Sequence, residues 1–157
     1  MKSYVGPCNS NVPGYGLRED KKDEDVLRQA CQQINLAHTI SDEVKNILAK
    51  AFDKNFVEAM KLVDQNRVKE VRFAPSGRVV WVVTGRKKDY QVVPQSMFCT
   101  CDDYYFRVMG RKKQLCYHLI AQHLAEALGS HNKSDVVDAD YAGFTARWKP
   151  VVDSERT

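Results

Sequence analysis

The chain has 157 residues, 43% of them hydrophobic, and a formal net charge of +4. That length buries one real core, with room for a small appendage at most. It contains no run of about eighteen apolar residues, so no transmembrane helix is expected, and the opening Met-Lys-Ser-Tyr-Val-Gly-Pro lacks the apolar stretch of a signal peptide. The expectation is a soluble, intracellular protein, cytoplasmic in a cell without a nucleus and nuclear in a cell with one.

Residues 1–22 hold three glycines, two prolines and a charged end, and read as a flexible lead. Residues 23–66 read as helical. Asp23 or Asp25 is placed to cap a first helix that turns Val26, Leu27, Ala30, Cys31 and Ile34 inward. Ser41-Asp-Glu-Val is a start signal for a second, with a capping hydroxyl and acidic residues in the first turn. Val44, Ile47, Leu48, Ala51 and Phe52 then recur at helical spacing. Asp53 is a candidate cap for a third helix, with Phe56, Val57, Met60 and Val63 inward. His38 falls between helices, where a loop or capping role suits it better than ligation.

The period changes at Val68. Val68-Lys-Glu-Val-Arg-Phe73 alternates like a half-exposed strand, and Ala74-Pro-Ser-Gly77 has the residues of a turn. Val79-Val-Trp-Val-Val83 is apolar throughout, as a central strand covered on both faces would be. A basic turn over 85–89 and a third strand, Tyr90-Gln-Val-Val93, complete a three-stranded antiparallel meander. A short helix is expected from Asp102 to Met109, stopped by Gly110, followed by a basic loop at 111–113. Residues 119–128 form a last helix ending near Gly129. The tail, 131–157, is polar until Tyr141-Ala-Gly-Phe-Thr-Ala-Arg-Trp148, an aromatic cluster expected to pack back on the domain, with partner docking as the alternative. The fold class is therefore α+β.

Cysteine usage carries the chemistry. Five cysteines, an odd count with three in one cluster, fit metal binding in a reducing compartment better than a disulfide framework. Cys31 reads as a small buried hydrophobe and Cys8 as an exposed residue of the lead. The cluster is Cys99-Thr-Cys101, then Cys116-Tyr-His118 after fourteen residues. Three thiols and an imidazole in C-x-C…C-x-H form are a full tetrahedral ligand set for zinc. In an extended segment Cys99 and Cys101 project to one side. Cys116 and His118, two apart, diverge inside a helix and converge only where the chain enters one. Four protein ligands leave no open position, so the zinc is expected to be structural. His123, about 140° round the helix from His118, does not reach the same metal and reads as a packed or supporting histidine.

Charge is uneven. Residues 67–114 carry eleven Lys and Arg against four Asp and Glu. Three thiolates on one zinc take one charge off that surplus of seven and leave about +6, the footprint of a surface that meets phosphate or an acidic partner; solubility alone is the plainer reading. Arg78, Arg86, Lys87 and Lys88 at the turns, with Arg107, Arg111, Lys112 and Lys113 beside the metal pairs, are the candidate phosphate contacts. Tyr104, Tyr105 and Phe106 are candidates for base stacking.

The ligand pattern, with the last ligand opening a helix, resembles the SWIM zinc-binding domain. Upstream, Ala59-Met-Lys-Leu-Val-Asp64 leading to a strand, then Pro75-Ser-Gly-Arg78 and an apolar strand, is similar to the small stand-alone SWIM subunits of Shu-type complexes. The resemblance covers roughly residues 55–128, within a zinc-binding domain drawn at 67–130. It departs at Asp102, where many SWIM sequences have proline. It implies zinc on Cys99, Cys101, Cys116 and His118, and a recombinase-like ATPase of the RecA-paralogue kind as partner. The implied work is homologous recombination and DNA repair on single-stranded DNA. An autonomous nucleic-acid-binding or transcription-associated zinc module, and a pure protein-interaction module, use the same residues. An enzyme is not expected: ligation consumes the Cys116–His118 pair, no third residue orients it, and no G-x-x-x-x-G-K-[ST] loop is present. Neither a membrane nor a small-molecule substrate is implied.

Overall fold

A computed structural model describes residues 19–102 and 115–148. Most of the glycine-rich lead with Cys8, the helix expected after Asp102, Tyr104 to Phe106, Gly110, and the basic residues Arg107, Arg111, Lys112 and Lys113 lie outside the described residues.

Three helices open the structure: α1 (Glu19–Ala37), α2 (Asp42–Phe52) and α3 (Lys54–Asp64). The chain is already helical at Glu19, four residues before Asp23. Glu and Lys are good helix formers, and acidic residues suit the positive end of the helix. α1 ends where His38 adopts a left-handed φ of 58° and its N–H bonds to the Ile34 carbonyl at 2.6 Å, so His38 stops a helix. Ser41 caps α2 through a bond from Val44 N–H at 3.2 Å. Asp53 occupies the N-cap position of α3 without a side-chain cap bond. The inward faces are Leu27, Ala30 and Ile34, then Val44, Leu48 and Phe52, then Phe56, Ala59, Leu62 and Val63. Ile47 and Val57 point outward instead, 44% and 52% exposed. In α3 the stripe 56-59-63 and Leu62 faces the core, and Val57 lies about 100° off Phe56.

Among the described residues the sheet has five strands, not three. β1 (Val68–Ala74), β2 (Val79–Thr84) and β3 (Asp89–Val93) make the expected antiparallel meander. β4 (Phe98–Cys99) adds antiparallel to β3, and β5 (Asn132–Val137) adds parallel to β1, giving the order β4-β3-β2-β1-β5. β2 is the centre, with its four middle residues buried, as its unbroken apolar run requires. β5 reads Asn-Lys-Ser-Asp-Val-Val because it is an edge strand facing solvent along much of its length. Helix α4 (Tyr117–Leu128) ends in a left-handed Gly129.

Strand alternation divides the core into two layers. Val68, Trp81, Val83 and Val92 face α1–α4, whereas Val71, Phe73, Val80 and Val82 face the other way. The second face is covered by the segment after β5: a 3-10 turn, the short α5 (Tyr141–Thr145) and a final 3-10 turn (Ala146–Trp148). Tyr141, Phe144 and Trp148 pack there, with the Phe73 ring edge-on to Tyr141 at 5.0 Å and to Phe144 at 5.5 Å. The aromatic cluster thus packs back on the domain. Polar contacts fasten it at both ends. Asp138 accepts from Ser76 N–H at 3.0 Å and Ser76 Oγ at 2.7 Å. Trp148 Nε1 donates to the Asp89 carbonyl at 3.0 Å, and Arg147 pairs with the Asp89 carboxylate at 3.2 Å.

Phe73 is fully buried at the centre of this layer. Phe73→Ala is expected to cost about 3 kcal/mol or more, by transfer and cavity together. Urea denaturation monitored by tryptophan fluorescence measures it, and a loss below about 1 kcal/mol would show that the tail does not seal this face.

Candidate metal centre

Cys99, Cys101, Cys116 and His118 come together as a buried cluster. Their ligand atoms all lie within 4.8 Å of one another. Bonds of about 2.3 Å to a tetrahedral ion set sulfur–sulfur edges near ~3.8 Å, a spacing that this cluster can accommodate.

Two elements supply the donors. After β3 the chain reverses through a 3-10 turn (Pro94–Ser96) and Met97, whose φ is 52°. Cys99 then pairs with Val92. Thr100, between the two cysteines, is tied to Gln91 in both directions: its N–H donates to the Gln91 carbonyl at 3.1 Å, and its hydroxyl accepts from Gln91 N–H at 3.0 Å. With the backbone clamped at Thr100, Cys99 and Cys101 are held as a ledge. Cys116 is the N-cap of α4 with extended dihedrals (φ −78°, ψ 158°), and no side-chain cap bond is made there. His118, one residue into the helix after Tyr117, therefore shares a side with Cys116.

The imidazole is positioned by aromatic walls. The Tyr90 ring lies 4.6 Å from the His118 ring and the Tyr117 ring 4.2 Å from it, both tilted. Tyr90 sits against Gly85, where a methyl group would lie 2.5 Å from the Tyr90 ring, so only glycine lets the turn close on this wall. Both ring nitrogens of His118 are buried without a hydrogen-bond partner among the described residues. Such orphaned nitrogens cost about 1–3 kcal/mol each, and a metal bond satisfies one of them. The residues fit a metal ion.

The thiols tell the same story from the proton side. Hydrogen bonds with Cys101 and Cys116, then burial, hold Cys99 well above the ordinary thiol range. Burial first, then the bond with Cys101, pushes Cys116 up to about 12. Burial and the hydrogen bonds among the thiols favour the protonated form of both groups where no cation offsets them.

The supporting residues Thr100, Tyr90, Tyr117 and Gly85 carry no motif, since their roles depend on contacts between elements. The other histidines are placed elsewhere. His123 Nδ1 lies 2.9 Å from the Leu119 carbonyl in the packed α1–α4 layer, and burial lowers its pKa. Cys31 is half-buried, its thiol donating to the His123 carbonyl at 3.6 Å, with burial raising it to about 12.

Of the candidate basic residues, the four that are described lie at two ends of β2. Arg78 follows the β1–β2 turn and lies over the Tyr141 ring at 4.6 Å. Arg86, Lys87 and Lys88 are exposed in the β2–β3 turn at the other end of β2, a strand spanning about 20 Å. That second turn is the one beside the metal cluster: Arg86 pairs with Glu58 at 3.6 Å, and Lys88 lies 5.6 Å over the Tyr90 ring.

A zinc finger SWIM domain-containing protein 7 homolog of Dictyostelium discoideum is 30% identical over 109 residues, covering 68% of this chain and 70% of that protein. The chain belongs to the SWIM-type zinc finger proteins. Zinc finger SWIM domain-containing protein 7 of Mus musculus is 29% identical over 117 residues, 73% of this chain and 76% of that one. Its Danio rerio counterpart is 29% identical over 126 residues, 79% and 89% of the two chains. These relatives are named as zinc finger proteins and not as enzymes. No profile of a known family matches the chain, and no solved structure matches it. No described helix of this SWIM protein is long and apolar enough to cross a membrane.

Metal uptake by this SWIM site has to displace protons. At pH 7 zinc binding to metal-free protein is expected to release at least two, from Cys99 and Cys116, and its apparent affinity to rise about tenfold per pH unit for each proton released. The sign of the stability change follows. In the metal-free fold the raised thiol of Cys116 stabilises below the unfolded value of 9.0, and this is lost as pH climbs towards about 12. In the metal-bound fold the thiolates behave as depressed groups, and stability is lost as pH falls. Calorimetric zinc titration in two buffers of different ionisation enthalpy counts the protons; fewer than one would mean the thiols were already ionised.

Proposed function

We propose that the chain is a zinc-stabilised adaptor that partners a recombinase-like ATPase of the RecA-paralogue kind and supports homologous recombination and DNA repair on single-stranded DNA. The observation that carries the metal part is the buried Cys99–Cys101–Cys116–His118 cluster in a SWIM family member. Zinc, the metal in the relatives' names, is the ion proposed. Zinc bonded by all four would have no open position for substrate or water, so its work is to staple the β4 ledge to the start of α4, and the chain acts through binding and not through catalysis.

The ATPase partner is supported by the likeness of residues 55–128 to the SWIM subunits of Shu-type complexes. The nucleic-acid part is supported by the surplus of positive charge over 67–114. A second reading, an autonomous nucleic-acid-binding or transcription-associated module, draws on the same basic turns.

Affinity capture of the tagged full chain from its native cell, with mass spectrometry of what accompanies it, tests the proposal. A RecA-type ATPase in stoichiometric amount is expected for wild type, and much reduced for Cys116→Ser, in which the ledge is no longer stapled. Nucleic acid or transcription machinery without an ATPase would overturn the adaptor reading in favour of the autonomous module.

A further inference from the structure

A recess of about 260 Å³ opens beside the metal centre, between α3, the α3–β1 connection, the β2–β3 turn and the start of α4. Its volume lies below the roughly 300–1,000 Å³ of drug-sized ligand pockets, so it suits a small group and not a whole organic ligand. Lys61 comes from α3, Arg67 from the connection, and Arg86 from the turn; Tyr117, whose ring lies on His118, forms the wall towards the cysteines. Among the described residues the single carboxylate in the lining is Glu58, which bonds Lys61 at 3.1 Å and pairs with Arg86 at 3.6 Å. Three cations against one anion leave the described lining two charges positive.

Arg67 is the distinctive residue. Its Nε donates to Gln65 Oε1 at 2.7 Å and its Nη1 to the Gly85 carbonyl at 3.3 Å. Both acceptors are neutral, and among the described residues no carboxylate pairs with this guanidinium. Two hydrogen bonds out of five N–H groups fix the fork and leave it able to take a tetrahedral oxyanion with the remaining ones. Lys61 and Arg86, now sharing Glu58, stand on the other elements of the rim. Cations converging from three elements suit a group with several charged oxygens, whereas a solubilising charge needs no recess and no fixed fork.

We propose that this recess is a phosphate-binding site, centred on Arg67 with Lys61 and Arg86, which receives a phosphate of a single-stranded nucleic acid passing the metal centre. The strand as the source rests on the nucleic-acid part of the proposed function; a free phosphate compound offers the same chemistry. The site also explains why Tyr117 separates the two ligands Cys116 and His118: it joins the wall of the recess to the metal centre, so loss of metal would loosen the pocket.

The test uses the zinc-loaded full chain with two probes, inorganic phosphate and single-stranded oligothymidylate, read by NMR shifts of the Arg67 Nε–H and Tyr117 ring signals and by affinity at several salt concentrations. Arg67→Gln is expected to weaken oligothymidylate binding about tenfold and to lower the salt slope by about 0.7, the value for one phosphate on a single strand. Arg86→Gln, at a side chain 83% exposed and so harmless to folding, is expected to act in the same direction. Both probes shifting the signals, with the reduced slopes, supports a strand phosphate in the site. Phosphate shifting them while oligothymidylate fails to bind supports the site with a free phosphate compound as ligand, and overturns the nucleic-acid part of the function. Oligothymidylate binding with an unchanged salt slope in both variants and still signals overturns the site alone. Failure of both probes overturns both.

Discussion

Four donors on two separate elements have to converge on one point about 2.3 Å from each sulfur, and the β4 ledge and the start of α4 serve that constraint. A strand edge gives two side chains on one side; a helix start gives two more before helical rotation separates them. Each geometry works only for its own pair, so ledge and helix must be brought face to face. The sheet does this at the β3–β4 edge, where Thr100 is bonded twice to Gln91, and α4 does it by packing along α3 and α1. The helix layer, with its buried Leu119, Ile120 and Leu124, packs the start of α4 against the sheet, and the four donors gather within 4.8 Å.

The two core layers divide the labour. One face of the sheet packs the helices and carries the metal cluster; the other is sealed by the tail, whose aromatic residues close over Phe73. The Asp89 backbone and carboxylate join the two, since the residue that begins β3 also anchors Trp148 and Arg147. The basic turn at 85–88 sits between this anchor and the metal centre. Arg86, Lys87 and Lys88 thus stand beside Tyr90 and Tyr117, while Arg78, at the other end of β2, stacks on the tail.

Much of this was legible where local chemistry decides. Ser41, the alternation of 68–73, the apolar 79–83 and the pattern C-x-C…C-x-H each state their structure within a few residues. What stayed hidden depends on distant partners. β5 is polar because it is an edge strand, and its parallel pairing with β1 needs the intervening chain to carry it across, which no short window displays. Ile47 and Val57 look inward by periodicity, yet α2 and α3 each spend a narrower stripe on the core. The ring walls on His118 and the fixed fork of Arg67 join residues that ordinary spacing does not connect.

X-ray absorption at the zinc edge of the purified, zinc-loaded protein tests the closed four-ligand centre most directly. The account predicts a shell of three sulfurs at about 2.3 Å and one nitrogen at about 2.0–2.1 Å, with no water oxygen. A shell with fewer than three sulfurs, or with an added oxygen, would contradict it and make the centre an open site.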